Sequence, residues 1–322
     1  MGVKELAGEF NFHGQGLSLR VPPAHAGLLE EAEHFWQFFH APAATSRPVT
    51  VQVHAPASWA AVATLERPDA EIAFDGLRCY FEGDCFVIGE PGVTVVGMRD
   101  RIDAYLQAGR GHDYRRLVRV TLNLALLEAL RHHRLFYLHG ACLKSPAGKT
   151  YLISGDAGRG KSTLTLALLM EGYGYLSDDA VFLDARSWPV RVVAYAKLFH
   201  LANDQRERIP AVALPQWSGR KWEFDPAAAF PGQRLRSVDR VDVLVLPEIS
   251  GGETSEVVPV GQAEALTHFF GTSTQVFFDK SLAAVHLRAL RTVATRARAY
   301  RLRAGRDVYA DPSRYHALLR SL

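Results

Sequence analysis

Tyr151-Leu152-Ile153-Ser154-Gly155-Asp156-Ala157-Gly158-Arg159-Gly160-Lys161-Ser162-Thr163 is the stretch on which the fold turns. Tyr151 to Ser154 is a short apolar run, the profile of a buried strand. Gly155-x-x-x-x-Gly160-Lys161-Ser162 then matches the phosphate-binding loop pattern in full. Thr163 to Met170 supplies strong helix formers, and Gly172 and Gly174 end the run. The pattern therefore predicts a strand, a glycine-rich loop and a helix N-terminus in succession. Gly155, Gly158 and Gly160 let the backbone take positive φ and approach a ligand without Cβ clashes. Successive N–H groups can then converge on phosphate oxygens, reinforced by the helix dipole. Lys161 is a mobile point charge suited to β- and γ-phosphates. The Ser162 hydroxyl suits Mg²⁺, which takes such oxygens together with waters. Candidate nucleotide contacts are thus Gly155, Asp156, Ala157, Gly158, Arg159, Gly160, Lys161, Ser162 and Thr163.

Downstream, Tyr175 to Leu183 is an apolar strand region interrupted by Asp178-Asp179. Two adjacent carboxylates at a strand end are costly unless positive charge is near. A Mg²⁺-nucleotide supplies it. One acid can hold the metal and the other can take a proton from an attacking hydroxyl. Upstream, Leu135 to Leu143 reads as a strand beside the loop. It contains His139, for which a satisfied core histidine is the simpler reading of the residues alone.

The chain of 322 residues has room for two domains, and 48% hydrophobic with 22% charged residues is a globular composition. A net charge of +3 implies no global affinity for polyanions. Cys79, Cys85 and Cys142 form no C-x-x-C pair, which argues against a zinc site or disulfide framework and predicts free thiols in a reducing cytoplasm. Met1 to Leu6 lacks a signal-peptide core. The longest apolar stretch, Leu117 to Leu130, is broken by Arg119, Asn123 and Glu128, so no membrane span is expected.

Residues 1–110 read as a small α+β domain, with a helix at Leu28 to Phe39, a strand at Val49 to Val53 and hairpins over 71–98. For Phe35, Trp36, Phe38 and Phe39, core packing is a simpler reading than a peptide groove. Residues 111–322 would form the nucleotide domain, entered through an amphipathic helix from Asp113 to Arg134. Within it, Val241 to Glu248 is a buried strand whose terminal Glu248 competes with Asp178-Asp179 as a metal carboxylate. For Lys197, Arg220 and Lys221 a solvated role is the simpler reading. The arginine-rich end from Arg288 to Arg306 reads as a solvated face, not a nucleic-acid surface, because interleaved aromatics are absent.

Leu138-His139-Gly140-Ala141, the loop from Ile153 to Thr163, and Leu176-Ser177-Asp178-Asp179 resemble, in order and spacing, the HPr kinase/phosphorylase family. The resemblance implies an α/β P-loop kinase domain of the HPr kinase/phosphoenolpyruvate carboxykinase type, with much antiparallel sheet. It implies ATP and Mg²⁺ as cofactors and phosphate transfer to a serine hydroxyl on a protein. Carried over, Ser162 and Asp178 lie on the metal side, Asp179 is the base, Lys161 binds phosphate, and His139 moves from core residue to site residue. The loop here reads Gly-Lys-Ser-Thr where the family usually has Gly-Lys-Ser-Glu, and residues 1–110 do not read like that family's front end. The chain looks more like HPr-kinase-related proteins found beside peptide-modification and lasso-peptide genes, which implies a peptide or protein substrate bearing a serine. A metabolite kinase and a non-catalytic ATP sensor are the alternatives, and homo-oligomerisation is left open.

Overall fold

In Val49-Thr50-Val51-Gln52-Val53 each valine is buried and each polar residue is half-exposed, so alternation in sequence becomes two faces in space. The computed structural model describes the chain except residues 1–4, 41–46, 56–69, 109–110, 157 and 279. It divides into two compact units, Met1–Leu135 with Gln275–His286, and Phe136–Thr274 with Leu287–Leu322.

The first unit carries β1 (Leu6–Phe12), β2 (Gln15–Val21), α1 (Ala26–Phe35), β3 (Val49–His54), β4 (Ala70–Phe74), β5 (Leu77–Glu82), β6 (Cys85–Glu90), β7 (Val93–Met98) and β8 (Arg101–Leu106). These form one eight-stranded sheet in the order β1-β2-β3-β8-β7-β6-β5-β4. Only the β2–β3 and β3–β8 pairings are parallel. Tight turns at Asp75-Gly76 and Gly83 take positive φ, as the hairpin pattern requires. Trp36 and Phe39 are core, with Trp36 edge-on to Phe10 and Phe39 stacked on Phe12 at 4.2 Å, while Phe35 and Phe38 are half-buried. At Gly97 a Cβ would lie 2.0 Å from the Phe86 ring, which covers the glycine across the strand pair. Cys79 and Cys85 are free and out of register, since Cys79 faces Ile88 and Cys85 faces Glu82.

The connecting helix runs through α2 (Tyr114–Arg116), a π-helical segment (Leu117–Leu122) and α3 (Asn123–His132). Asp113 caps it by accepting the Arg116 N–H at 3.0 Å. Its apolar face packs within the first unit, so the break between units follows Leu135, whereas the sequence places a boundary near residue 110.

The second unit is built on β9 (Leu135–Lys144), β10 (Thr150–Ser154), α4 (Lys161–Met170), β11 (Gly174–Ser177), β12 (Ala180–Asp184), β13 (Arg191–Ala194), β14 (Phe199–Leu201), β15 (Gln216–Trp217), β16 (Trp222–Phe224), α5 (Pro226–Ala229), β17 (Ser237–Val238), β18 (Val243–Ile249), β19 (Glu256–Val260), α6 (Gln262–Thr272), α7 (Lys280–Arg296), β20 (Arg298–Ala304), α8 (Asp307–Ala310) and α9 (Ser313–Arg320). The residues of α7 up to His286 group with the first unit. The main sheet is ordered β17-β13-β12-β9-β10-β18-β20-β19, with β11 paired to β9. β10–β18 and β18–β20 are parallel, and β9–β10 and β19–β20 are antiparallel. Every residue of β10 is buried, as a central strand requires. Gly140 permits its pairing with β9, because a Cβ there would stand 2.9 Å from the Ile153 carbonyl oxygen.

A ten-residue helix such as α4 is marginal alone, so packing must hold it. Leu164, Leu166, Leu168 and Leu169 are buried in a core with Tyr151, Ile153, Val243, Val245, Phe199 and Tyr315. Burial of each leucine contributes about 2 kcal/mol. The smaller sheet, β14-β16-β15, packs Phe199, Leu201 and Phe224 into the same core. The molecule is thus mixed α/β with several sheets. Among the described residues no helix is long and apolar enough to cross a membrane. Of the C-terminal arginines, Arg301 pairs with Glu264 and Glu248, Arg303 with Glu256 and Arg306 with Glu253.

Candidate functional site

β10 ends at Ser154 and α4 begins at Lys161, so the glycine-rich loop lies where the sequence predicts it. Gly158 and Gly160 take φ of 81° and 87°, and a Cβ on either would meet open space. Their glycine requirement is therefore conformational and not a matter of space. Gly155 is buried against Pro247 of β18, while Asp156 and Arg159 are exposed. Ser162 and Thr163 open the helix, half-buried. Ala157 lies outside the described residues.

Lys161 is 6% exposed and donates to the carbonyls of Gly155 at 2.6 Å and Asp156 at 2.9 Å. Its ammonium is thereby folded back over the loop. Burial lowers its pKa, while the charges of Asp179, Asp156 and Asp178 oppose that effect.

The two acids fall between β11 and β12 and have opposite environments. Asp178 is 1% exposed, and the Ser162 hydroxyl approaches its Oδ2 at 3.4 Å. Among the described residues its Oδ1 has no hydrogen-bond partner. Burial, then the neighbouring Asp179 charge, pushes its pKa up to about 6. Lys197 and the backbone N–H of His200 pull the other way. For Asp179, burial acts upward, but Lys197, His139 and Lys161 outweigh it and hold the carboxyl well below the usual range. Lys197 donates to Asp179 Oδ2, and His139 Nδ1 stands 3.2 Å from Oδ1. Asp179 is also tied through its backbone, its carbonyl accepting the Gly140 N–H at 2.8 Å. Burial lowers the His139 pKa, and Lys161 and Lys197 add to that while Asp179 opposes it.

The structure thus brings Lys161, Ser162, Asp178, Asp179 and His139 to the mouth of the loop. Glu248, the rival carboxylate, pairs instead with Arg301 at 3.3 Å. Lys197, expected in solvent, is half-buried and paired with Asp179, which corrects that reading. His268 on α6 was not singled out in the sequence, yet it sits close enough to Asp156 and Lys161 to feel their charges.

The donor set fits a magnesium ion. A buried carboxylate with one unpartnered oxygen beside a serine hydroxyl suits a hard cation that prefers oxygen ligands. Among the described residues no three His, Cys, Asp or Glu side chains converge on a metal position. The protein would then supply two oxygens and leave the others to water and phosphate, the habit of Mg²⁺ and not of a structural metal.

No family model matches the chain, and no curated protein matches it. A solved structure, the Hpr(Ser) kinase/phosphatase from Coxiella burnetii, is similar over 34% of this chain with 18% identity and a TM-score of 0.26. The similarity spans 58% of that protein's length. A likeness this weak carries no argument about the site, which stands on its own geometry. Fold and site together define a mixed α/β protein with a glycine-rich loop, between a buried strand and a helix N-terminus, facing paired carboxylates.

Proposed function

We propose that this protein is an ATP- and Mg²⁺-dependent phosphotransferase acting on a hydroxyl, a serine of a peptide or protein. The observation that carries this reading is the split character of the two acids beside one phosphate-type loop. Asp178 is buried next to Ser162 with an oxygen to spare, and Asp179 is held ionised by Lys197. One carboxylate is built for a cation and the other for a proton.

In this mechanism the loop amides and Lys161 hold the polyphosphate of ATP. Ser162 and Asp178 would hold Mg²⁺, which when bound offsets charge on the phosphate oxygens. The serine hydroxyl oxygen bonds to the γ-phosphorus as the bond from that phosphorus to the β–γ bridging oxygen breaks, and ADP leaves with that bonding pair. Asp179 takes the hydroxyl proton on Oδ1, the oxygen faced by His139. Lys197 keeps Oδ2 fixed, so the carboxylate cannot rotate away from the acceptor.

The test is incubation of γ-labelled ATP and Mg²⁺ with the pure protein and a cell extract split into peptide and small-molecule fractions. Label in the peptide fraction that disappears with Lys161→Ala is the expected result. Lysine-dependent label confined to small molecules would make the acceptor a metabolite. No label with ATP still bound would leave a nucleotide sensor.

A further inference from the structure

Large apolar side chains are exposed at few places among the described residues, and three of them fall in six positions: Val212 at 65%, Leu214 at 80% and Trp217 at 47%. Leu214 is also left-handed, at φ 44° and ψ 57°. That conformation costs a leucine about 1 kcal/mol and here serves no buried contact. Strain and exposure on one apolar residue point to a surface kept for binding.

Cations stand at the aromatic end of this stretch. The Arg206 guanidinium lies 5.1 Å from the centre of the Trp222 ring, which in turn meets Trp217 at 5.4 Å. Arg220 and Lys221 stand exposed in the turn joining β15 to β16. None of the three cations makes an ion pair with a described carboxylate. Glu223, the acid of β16, is turned to His200 at 3.3 Å. Glu207, next to Arg206 in a 3-10 turn of helix, is exposed and brings one opposing charge against these three.

The patch is also tied to the site by a short length of chain. Lys197, which grips Asp179, precedes β14 by two residues, and His200 within β14 points its N–H at Asp178. Lys221 at the hairpin tip is near enough for its charge to reach Lys161. A chain lying on this sheet is therefore led toward the carboxylate pair.

We infer that the surface formed by Arg206, Val212, Leu214, Trp217, Arg220 and Lys221 docks the acceptor as an acidic peptide segment. An aliphatic or aromatic side chain of the peptide seats on Val212, Leu214 and Trp217, and its carboxylates face the three cations. The inference rests on the phosphotransfer reading for the word acceptor, but its binding content is testable alone.

The probe is an immobilised degenerate peptide library with a fixed central serine. Retention is compared for wild type, the triple variant Arg206→Glu, Arg220→Glu and Lys221→Glu, and Leu214→Gly. Wild type should enrich Asp and Glu together with Leu, Phe or Trp, and the triple variant should bind the acidic members about tenfold more weakly. Leu214→Gly relieves the backbone strain, so it should lose the apolar preference without a lower melting temperature. No acidic enrichment by wild type, or the same enrichment by the triple variant, overturns the inference. Label transferred from γ-labelled ATP to the same library separates the two readings. Acidic enrichment without label refutes the kinase and keeps the dock, while label without enrichment does the reverse.

Discussion

His139 Nδ1 stands 3.2 Å from Asp179 Oδ1 while Lys197 holds Asp179 Oδ2, so the carboxylate is gripped from both sides by groups on β9 and in the segment after β13. Each grip has a different consequence. The lysine fixes charge. The histidine, whose pKa burial lowers first, faces the other oxygen, the one proposed to receive the proton.

Removing Lys197 should therefore cost more in rate than in stability. Lys197→Met is expected to reduce phosphotransfer roughly 100-fold through loss of Asp179 orientation. The stability loss should be about 1–3 kcal/mol, below that of a fully buried pair, because the Asp179 side chain is 34% exposed. Lys197→Arg should restore part of the rate. Steady-state kinetics beside urea melts check this, and a variant as active as wild type would remove Lys197 from the mechanism.

Asp178 is the converse case. Its folded pKa of about 6 lies above the unfolded carboxylate value, so its contribution to stability is full below about pH 4. That contribution is lost as pH rises through 6, where the buried group must ionise. Asp178→Asn should thus stabilise the metal-free protein at pH 8 by on the order of 1–3 kcal/mol, and by much less at pH 4. Mg²⁺ should raise the wild-type melting temperature at pH 8 and leave the variant unmoved. Thermal melts across pH with and without Mg²⁺ read both effects, and an Asn variant less stable at pH 8 would contradict the assignment.

Gly140 carries a purely structural prediction. A Cβ there meets the Ile153 carbonyl oxygen at 2.9 Å, and that atom is backbone and cannot swing aside. Gly140→Ala should cost about 1–3 kcal/mol by separating β9 from β10 beside the loop. A chemical-denaturation midpoint equal to wild type would show that the strands tolerate the shift.

The loop was legible because its chemistry is local: Gly158, Gly160, Lys161 and Ser162 lie within five positions, and the strand before and helix after follow from apolar pattern. Asp178 and Asp179 were legible because two acids interrupt an apolar run. Lys197 was not. A single lysine near a strand end reads as solvated, and its partner lies 18 residues earlier, brought back only when β13 pairs with β12. The residues of β1, Leu6 to Phe12, include a glycine and give a weak alternation, so this edge strand had no clear signal. The π-helical segment Leu117–Leu122 leaves the apolar periodicity unbroken to the eye. The division after Leu135 reflects where α3 packs, which composition near residue 110 does not disclose.

The central claim is that Asp179 receives the acceptor proton while other groups hold the nucleotide. Its most direct test is Asp179→Asn, with ATP binding measured by calorimetry and transfer by γ-labelled ATP on the same preparation. The account predicts an ATP affinity within about threefold of wild type and transfer reduced by at least roughly 100-fold. Transfer at the wild-type rate with intact binding would contradict it and place the base elsewhere.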